Sequence, residues 1–304
     1  MVFSGRSLPR AVPADVPESE RARFLANLHR VTQGSGRLML MAGDQKVEHL
    51  NDDFVGDHVA VDDADPEHLF RIASRARIGA FATQLGLISR YAPDYRDVPY
   101  VVKLNAKTHL VPARSADPLS RQWHTIEQVV RLRDTAGLQI VGIGYTLYPG
   151  SAFEAEMLAE AAKAVFEAHQ QGLLAILWAY PRGQHITDEH DAHLIAGVAG
   201  LAACLGADFV KVNAPSAGPQ SLREAVRAAG RTGVVCAGGG ERGAEAFLRG
   251  LHAQLTEGGA AGSATGRNIH QRPLAEAVRL CNAITALDCD GASLDDALRI
   301  LHGS

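Results

Sequence analysis

Long apolar runs are missing from this 304-residue chain. No stretch reaches the ~18 consecutive apolar residues of a membrane-spanning helix, and the N-terminus lacks the charged and apolar regions of a secretory signal. A cytoplasmic protein with no membrane partner is expected. Positive charge is not in excess either: the net charge is -4, which argues against nucleic acid or another polyanion as partner. Cysteine is scarce. Cys204, Cys236, Cys281 and Cys289 are spaced too irregularly for a disulfide framework or a zinc ribbon, and read as small buried thiols in a reducing compartment. Cys236 has no local base to make it a nucleophile. The first apolar run, RLMLMAGDQKVEH, is not followed by G-x-G-x-x-G, so a dinucleotide fingerprint is absent where an open Rossmann sheet would carry it.

What is present describes a folded enzyme. Hydrophobic residues make up 46% and charged residues 21%, which suits one large core. Residues 1–17 carry Pro9, Pro13 and Pro17 without a hydrophobic period and read as an extended arm. Residues 18–304 form the domain, opening with a helix from about Glu18 to Val31. Short apolar runs then alternate with amphipathic stretches: RLMLMAGD, IGAFATQLG, PYVVKLN, LQIVGIGYT, LLAILWAY, ADFVKVN, TGVVCAGGG and GGAAGSATG. Between them, residues 151–172 and 187–206 place apolar side chains at three- and four-residue steps and close on glycine. Runs without polar alternation suit a parallel sheet covered on both faces. About eight βα units predict a single α/β (β/α)8 TIM barrel with an N-terminal extension; a doubly wound sheet is the competitor.

In a barrel the working groups project from the C-terminal ends of strands. The polar residues that close the apolar runs are Asp44, Lys103 with Asn105, Tyr145, Trp178 with Tyr180, and Lys211 with Asn213. Lys211 stands out, because an ammonium inside an apolar strand must find a partner or lose its proton. A neutral amine is a nucleophile, so Lys211 is the candidate for a Schiff base with a carbonyl substrate, with Lys103 as a second cation depressing its pKa. The alternative is a lysine paired with a neighbouring carboxylate, Asp44. Glycines gather after the last two runs, in AGGGER (237–242) and GSATGRN (262–268), where backbone N–H groups, a helix start near Gly266 and the Arg267 guanidinium suit a phosphate.

The blocks AGDQKVEH, VVKLN, VGIGYTLYPGS, LWAYPRG, ADFVKVNAP, AGGG and GSATGRNIHQ, in this order over residues 38–271, resemble the archaeal-type class I fructose-bisphosphate aldolases. That family also contains an aminodideoxyheptulosonate synthase and a thiolase-like member. The resemblance implies metal-independent, cofactor-free reversible cleavage of fructose 1,6-bisphosphate by a homo-oligomer. It implies Lys211 as the imine-forming residue, Tyr180 as general acid/base, and Asp44 on substrate hydroxyls. Trp178 would shape the pocket. Gly238, Gly239, Gly266 and Arg267 would hold the phosphate near the carbonyl and Arg182 the distal one. Lys103 and Asn105 either bind substrate oxygens or fix Lys211 and Asp44. The chain departs from the family at Lys46, where a glycine is usual and the distal contacts would change, and at AGGGER, where a serine- and lysine-containing loop is usual.

Three features are set aside. His185, His190 and His193 lie among acidic residues and read as an ordinary helix start at Thr187 rather than a metal site. The acidic stretch from Glu48 to Glu67 reads as a solvated loop, and Trp123 as core or interface. Tyr148 reads as structural.

Overall fold

Each of the eight apolar runs becomes a strand in the computed structural model, which describes residues 12–239 and 243–303. They are β1 (Leu38–Ala42), β2 (Ala80–Gln84), β3 (Tyr100–Lys103), β4 (Ile140–Leu147), β5 (Leu174–Ala179), β6 (Phe209–Val212), β7 (Gly233–Ala237) and β8 (Gly262–Thr265). Every strand pairs in parallel with the next, and β8 returns to β1 through Leu38 opposite Gly262 and Met41 opposite Thr265. The result is the closed (β/α)8 barrel, with no free sheet edge.

The strands are buried nearly throughout, because side chains fill the barrel on one face and helices cover the other. The helix Glu154–His169 shows the outer packing. It turns Met157, Ala161, Ala164, Val165 and Ala168 inward at helical spacing and packs on β4 and β5. Truncating the fully buried Met157 to alanine would cost about 2–5 kcal/mol.

Some boundaries differ from expectation. The helix expected over 187–206 spans Ala192–Cys204, since the Asp191 carboxylate accepts from the Leu194 N–H at 2.9 Å and caps it there. Residues 187–190 are left as loop, and Thr187 and Glu189 face a cavity. The first helix runs Arg21–Thr32 after a short 3-10 turn at Glu18–Glu20. Of the expected arm, residues 1–11 lie outside the described residues, while residues 12–17 pack on the barrel with Val16 buried. Asp15 there contacts His169 Nδ1 at 2.9 Å, and His169 Nε2 reaches Asp208, just before β6, at 3.2 Å. Cys236 and Cys281 are buried and Cys289 partly so, but Cys204 is exposed at the end of its helix. None of the described helices is long and apolar enough to cross a membrane.

Candidate active site

Strand alternation and register bring one set of polar side chains together. Trp178 lies opposite Thr146 on one side and Lys211 on the other, and Lys103 lies opposite Gly144. The buried Lys103 ammonium sits 3.5 Å from an Asp44 carboxylate oxygen, donates to Thr146 Oγ1 at 2.5 Å and lies 3.8 Å from the Trp178 ring centre. Gly144 makes room for this: a Cβ there would lie 2.6 Å from Trp178 Cζ3 and 2.9 Å from Lys103 Cδ.

Lys211 is 5% exposed and 5.4 Å from the same Trp178 ring. It has no ion pair among the described residues, so Asp44 is the partner of Lys103 and not of Lys211. Burial lowers the Lys211 pKa, Asp44 and Glu48 oppose the shift, and Arg267 adds to it. The expected second cation, Lys103, is instead engaged by Asp44 and is itself pushed down to about 8, chiefly by burial. The Tyr180 hydroxyl is held protonated by burial and by the Glu48 and Asp44 carboxyls.

Above these residues opens a cavity of about 700 Å³, lined by Lys211, Tyr180, Arg182, Asn213, Gly238, Gly239, Gly266 and Arg267. Asp44, Lys103 and Trp178 do not line it, and sit instead around Lys211. Arg182 is held by Glu189, with its Nε 2.8 Å from the carboxylate, and faces the Tyr148 and Tyr180 rings at 5.7 Å. Gly266 is required by close packing, since a Cβ would meet Gln45 Nε2 at 2.2 Å and Ala42 O at 2.8 Å.

Several expected site residues are placed differently. Tyr145 points out of the barrel, donating to Glu160 at 2.8 Å, because residues 144 and 146 take the inward face. Asn105 is spent on the backbone: it donates to Ser120 O and Thr146 O and accepts from the Thr146 N–H, clipping β3 to β4 and to the following loop. The Gly238 N–H donates to Ala264 O at 3.2 Å, which removes it from a phosphate cradle. The expected helix at Gly266 is one turn, Arg267–His270, too short for a full macrodipole. Gly240, Glu241 and Arg242 of AGGGER lie outside the described residues. Lys46 turns away from the cavity, donating to Ala64 O and lying 4.0 Å from the Phe54 ring centre, while Gln45 takes the cavity side. His190 contacts Ala214 O and His193 contacts Glu224, so the set-aside histidines do not converge. Trp123 is exposed.

The acidic stretch is not a solvated loop throughout. Asp63 is fully buried against His270 Nδ1 at 2.6 Å, and Asp53 is buried beside Arg267 at 3.7 Å. Glu48 lines the cavity with His49 and His109, three residues outside the expected set. Burial first, and Asp44 second, push the Glu48 carboxyl up to about 7. Its signal in the sequence is helical spacing: Gln45, Glu48 and His49 share one face of the turn Gln45–Glu48 that follows Asp44.

Comparison with known proteins agrees with this architecture. A fructose-bisphosphate aldolase/6-deoxy-5-ketofructose 1-phosphate synthase of Methanocaldococcus jannaschii is 55% identical over 294 residues, covering 96% of this chain and 94% of that protein. A solved fructose-bisphosphate aldolase of Slackia heliotrinireducens is 53% identical with a TM-score of 0.94, over 96% of this chain and 94% of its own. An archaeal fructose-1,6-bisphosphate aldolase, solved with its catalytic lysine covalently bound to the carbinolamine intermediate, is 31% identical with a TM-score of 0.75, over 87% and 98%. Residues 38–272, from the first strand to just past the last, match the model of the DeoC/LacD family aldolases, and the chain belongs to that family.

Proposed function

We propose that this aldolase reversibly cleaves fructose 1,6-bisphosphate to dihydroxyacetone phosphate and glyceraldehyde 3-phosphate through an imine on Lys211. The observation that carries the reading is the Lys211 amine itself, buried at a strand end, without an ion pair among the described residues and depressed in pKa, at the base of a cavity of about 700 Å³. The amine adds to the C2 carbonyl and, with uptake of one proton, water leaves, giving a protonated imine. As the C3–C4 bond breaks, its electron pair moves into that imine and the C4 hydroxyl proton is taken up as the aldehyde forms. Tyr180 is the proton-handling group, its hydroxyl kept intact by burial beside two carboxyls. Asp44 contacts substrate hydroxyls, Trp178 walls the imine, and Lys103 holds Asp44 in place. Arg267 with Gly239 and Gly266 receives the phosphate nearer the carbonyl, and Arg182 the distal one. This route needs no metal for the carbon–carbon step.

A second reading keeps the imine and changes the carbon skeleton. The name of the Methanocaldococcus jannaschii relative joins cleavage of the bisphosphate to synthesis of 6-deoxy-5-ketofructose 1-phosphate. Borohydride reduction in the presence of fructose 1,6-bisphosphate or dihydroxyacetone phosphate tests both readings. A mass adduct on the Lys211 peptide, absent in Lys211→Met, is expected; no adduct would overturn them. Triose phosphate release across a panel of ketose phosphates then separates the two.

A further inference from the structure

The cavity holds a further cluster, in which Glu48 also bears on Tyr180 and Lys211. Glu48, His49 and His109 offer three ligand atoms lying within 4.8 Å of one another. Two polar atoms of this cluster are buried without a hydrogen-bond partner: Glu48 Oε1 and His109 Nε2. Buried carboxylate and imidazole atoms are rarely left so, and each calls for a partner that water or an ion can supply. We infer that Glu48, His49 and His109 form an open, three-ligand site for a divalent transition metal, zinc matching its two nitrogen donors and one oxygen donor best.

The cluster is built rather than accidental. The His109 N–H donates to Glu48 O at 2.8 Å, which ties the loop after β3 to the turn after β1. The two imidazoles meet edge to face with centres 4.5 Å apart. The Asp53 carboxylate stands 3.8 Å from His49 Nδ1, beyond hydrogen-bond reach, and adds negative charge beside the ring. Zinc ligand atoms in a tetrahedral site lie roughly 3.3 Å apart, so the side chains close by up to about 1.5 Å on binding. All three residues face the cavity, which leaves the fourth position for water or a substrate oxygen. Lys107, Arg182 and Arg267 oppose a cation here, while Glu48, Asp44 and Asp53 favour it. The site departs from the expectation of a metal-free cavity.

The test uses the full chain without an affinity tag, stripped by a chelator and titrated with Zn²⁺ against a chromogenic competitor, then with Co²⁺ by visible absorption. One Zn²⁺ per chain and intense tetrahedral Co²⁺ bands are expected. Removing a ligand in His109→Ala or Glu48→Gln is expected to weaken binding by more than ~100-fold, the loss that outer-shell changes do not exceed. Circular dichroism on each variant separates lost binding from lost fold, and the near-isosteric Glu48→Gln remains decisive if His109→Ala misfolds. No uptake at micromolar Zn²⁺, or uptake that survives His49→Ala/His109→Ala, overturns the site. Borohydride trapping on the same preparation keeps the readings apart: trapping without zinc uptake sinks this site alone.

Discussion

Replacing Lys103 by methionine removes one half of a buried charge pair and keeps most of its volume. Lys103 and Asp44 are 0% and 2% exposed and 3.5 Å apart, and Lys103 also donates to Thr146. Breaking such a pair from one side costs about 3–5 kcal/mol, because the remaining carboxylate is buried uncompensated. At about 2 °C per kcal/mol for a domain of this size, Lys103→Met is expected to melt roughly 6–10 °C lower. Adding Asp44→Asn removes the stranded charge, so the double variant should recover most of that loss. Lys211 should respond as well. Asp44 is the strongest charge opposing the fall in its pKa, and without Lys103 that carboxylate is left to Lys211 alone. A higher pKa leaves less free amine at neutral pH. Reductive trapping of dihydroxyacetone phosphate, followed by mass spectrometry across a pH series, should therefore slow near pH 7 and converge with the parent protein at high pH. An unchanged melting temperature together with an unchanged trapping profile would refute the claim that one carboxylate sets the charge of both lysines.

Two further outcomes are expected. Tyr180→Phe should keep borohydride trapping of the ketose while steady-state cleavage falls by about 10²- to 10⁴-fold; turnover at the parent rate would remove Tyr180 from proton transfer. His169→Asn tests the contact with the N-terminal segment. Burial pushes the His169 imidazole down, but the hydrogen bonds and charges of Asp208 and Asp15 prevail and its pKa is raised. Stability gained from a raised pKa is fully present below the unfolded value near ~6.5 and is lost as pH climbs through the folded value. The melting-temperature gap between parent and variant should thus be widest in mild acid and narrow on the alkaline side, and a gap independent of pH would contradict the assignment.

The barrel was legible because strands buried on both faces read as unbroken apolar runs, and all eight runs became strands. Lys211 was legible for the same reason, as the charge that such a run should not contain. Tyr145 was misjudged because its strand extends to Leu147, so a residue that seemed to end β4 lies inside it on the outer face. Thr187 looked like a cap until Asp191 supplied a carboxylate at the right step. Glu48 was hidden by its neighbours: the turn Gln45–Glu48 offers one helical step to read, and the aspartates that follow suggest solvent. His109 sits in a long connection with no hydrophobic rhythm, and only the backbone bond to Glu48 brings it to the mouth of the barrel. Pairings across 60 residues of chain, like the choice of Asp44 between two lysines, are decided by packing and leave no local trace.

The missing side chain at position 144 has a consequence beyond tidy packing. With the indole and the Lys103 stem sunk into that gap, the ring beside the Lys211 amine is seated by a single hydrogen atom on β4. A methyl there would displace the indole or the Lys103 stem. The surroundings of the buried amine are thereby set two strands away, by a residue with no side chain.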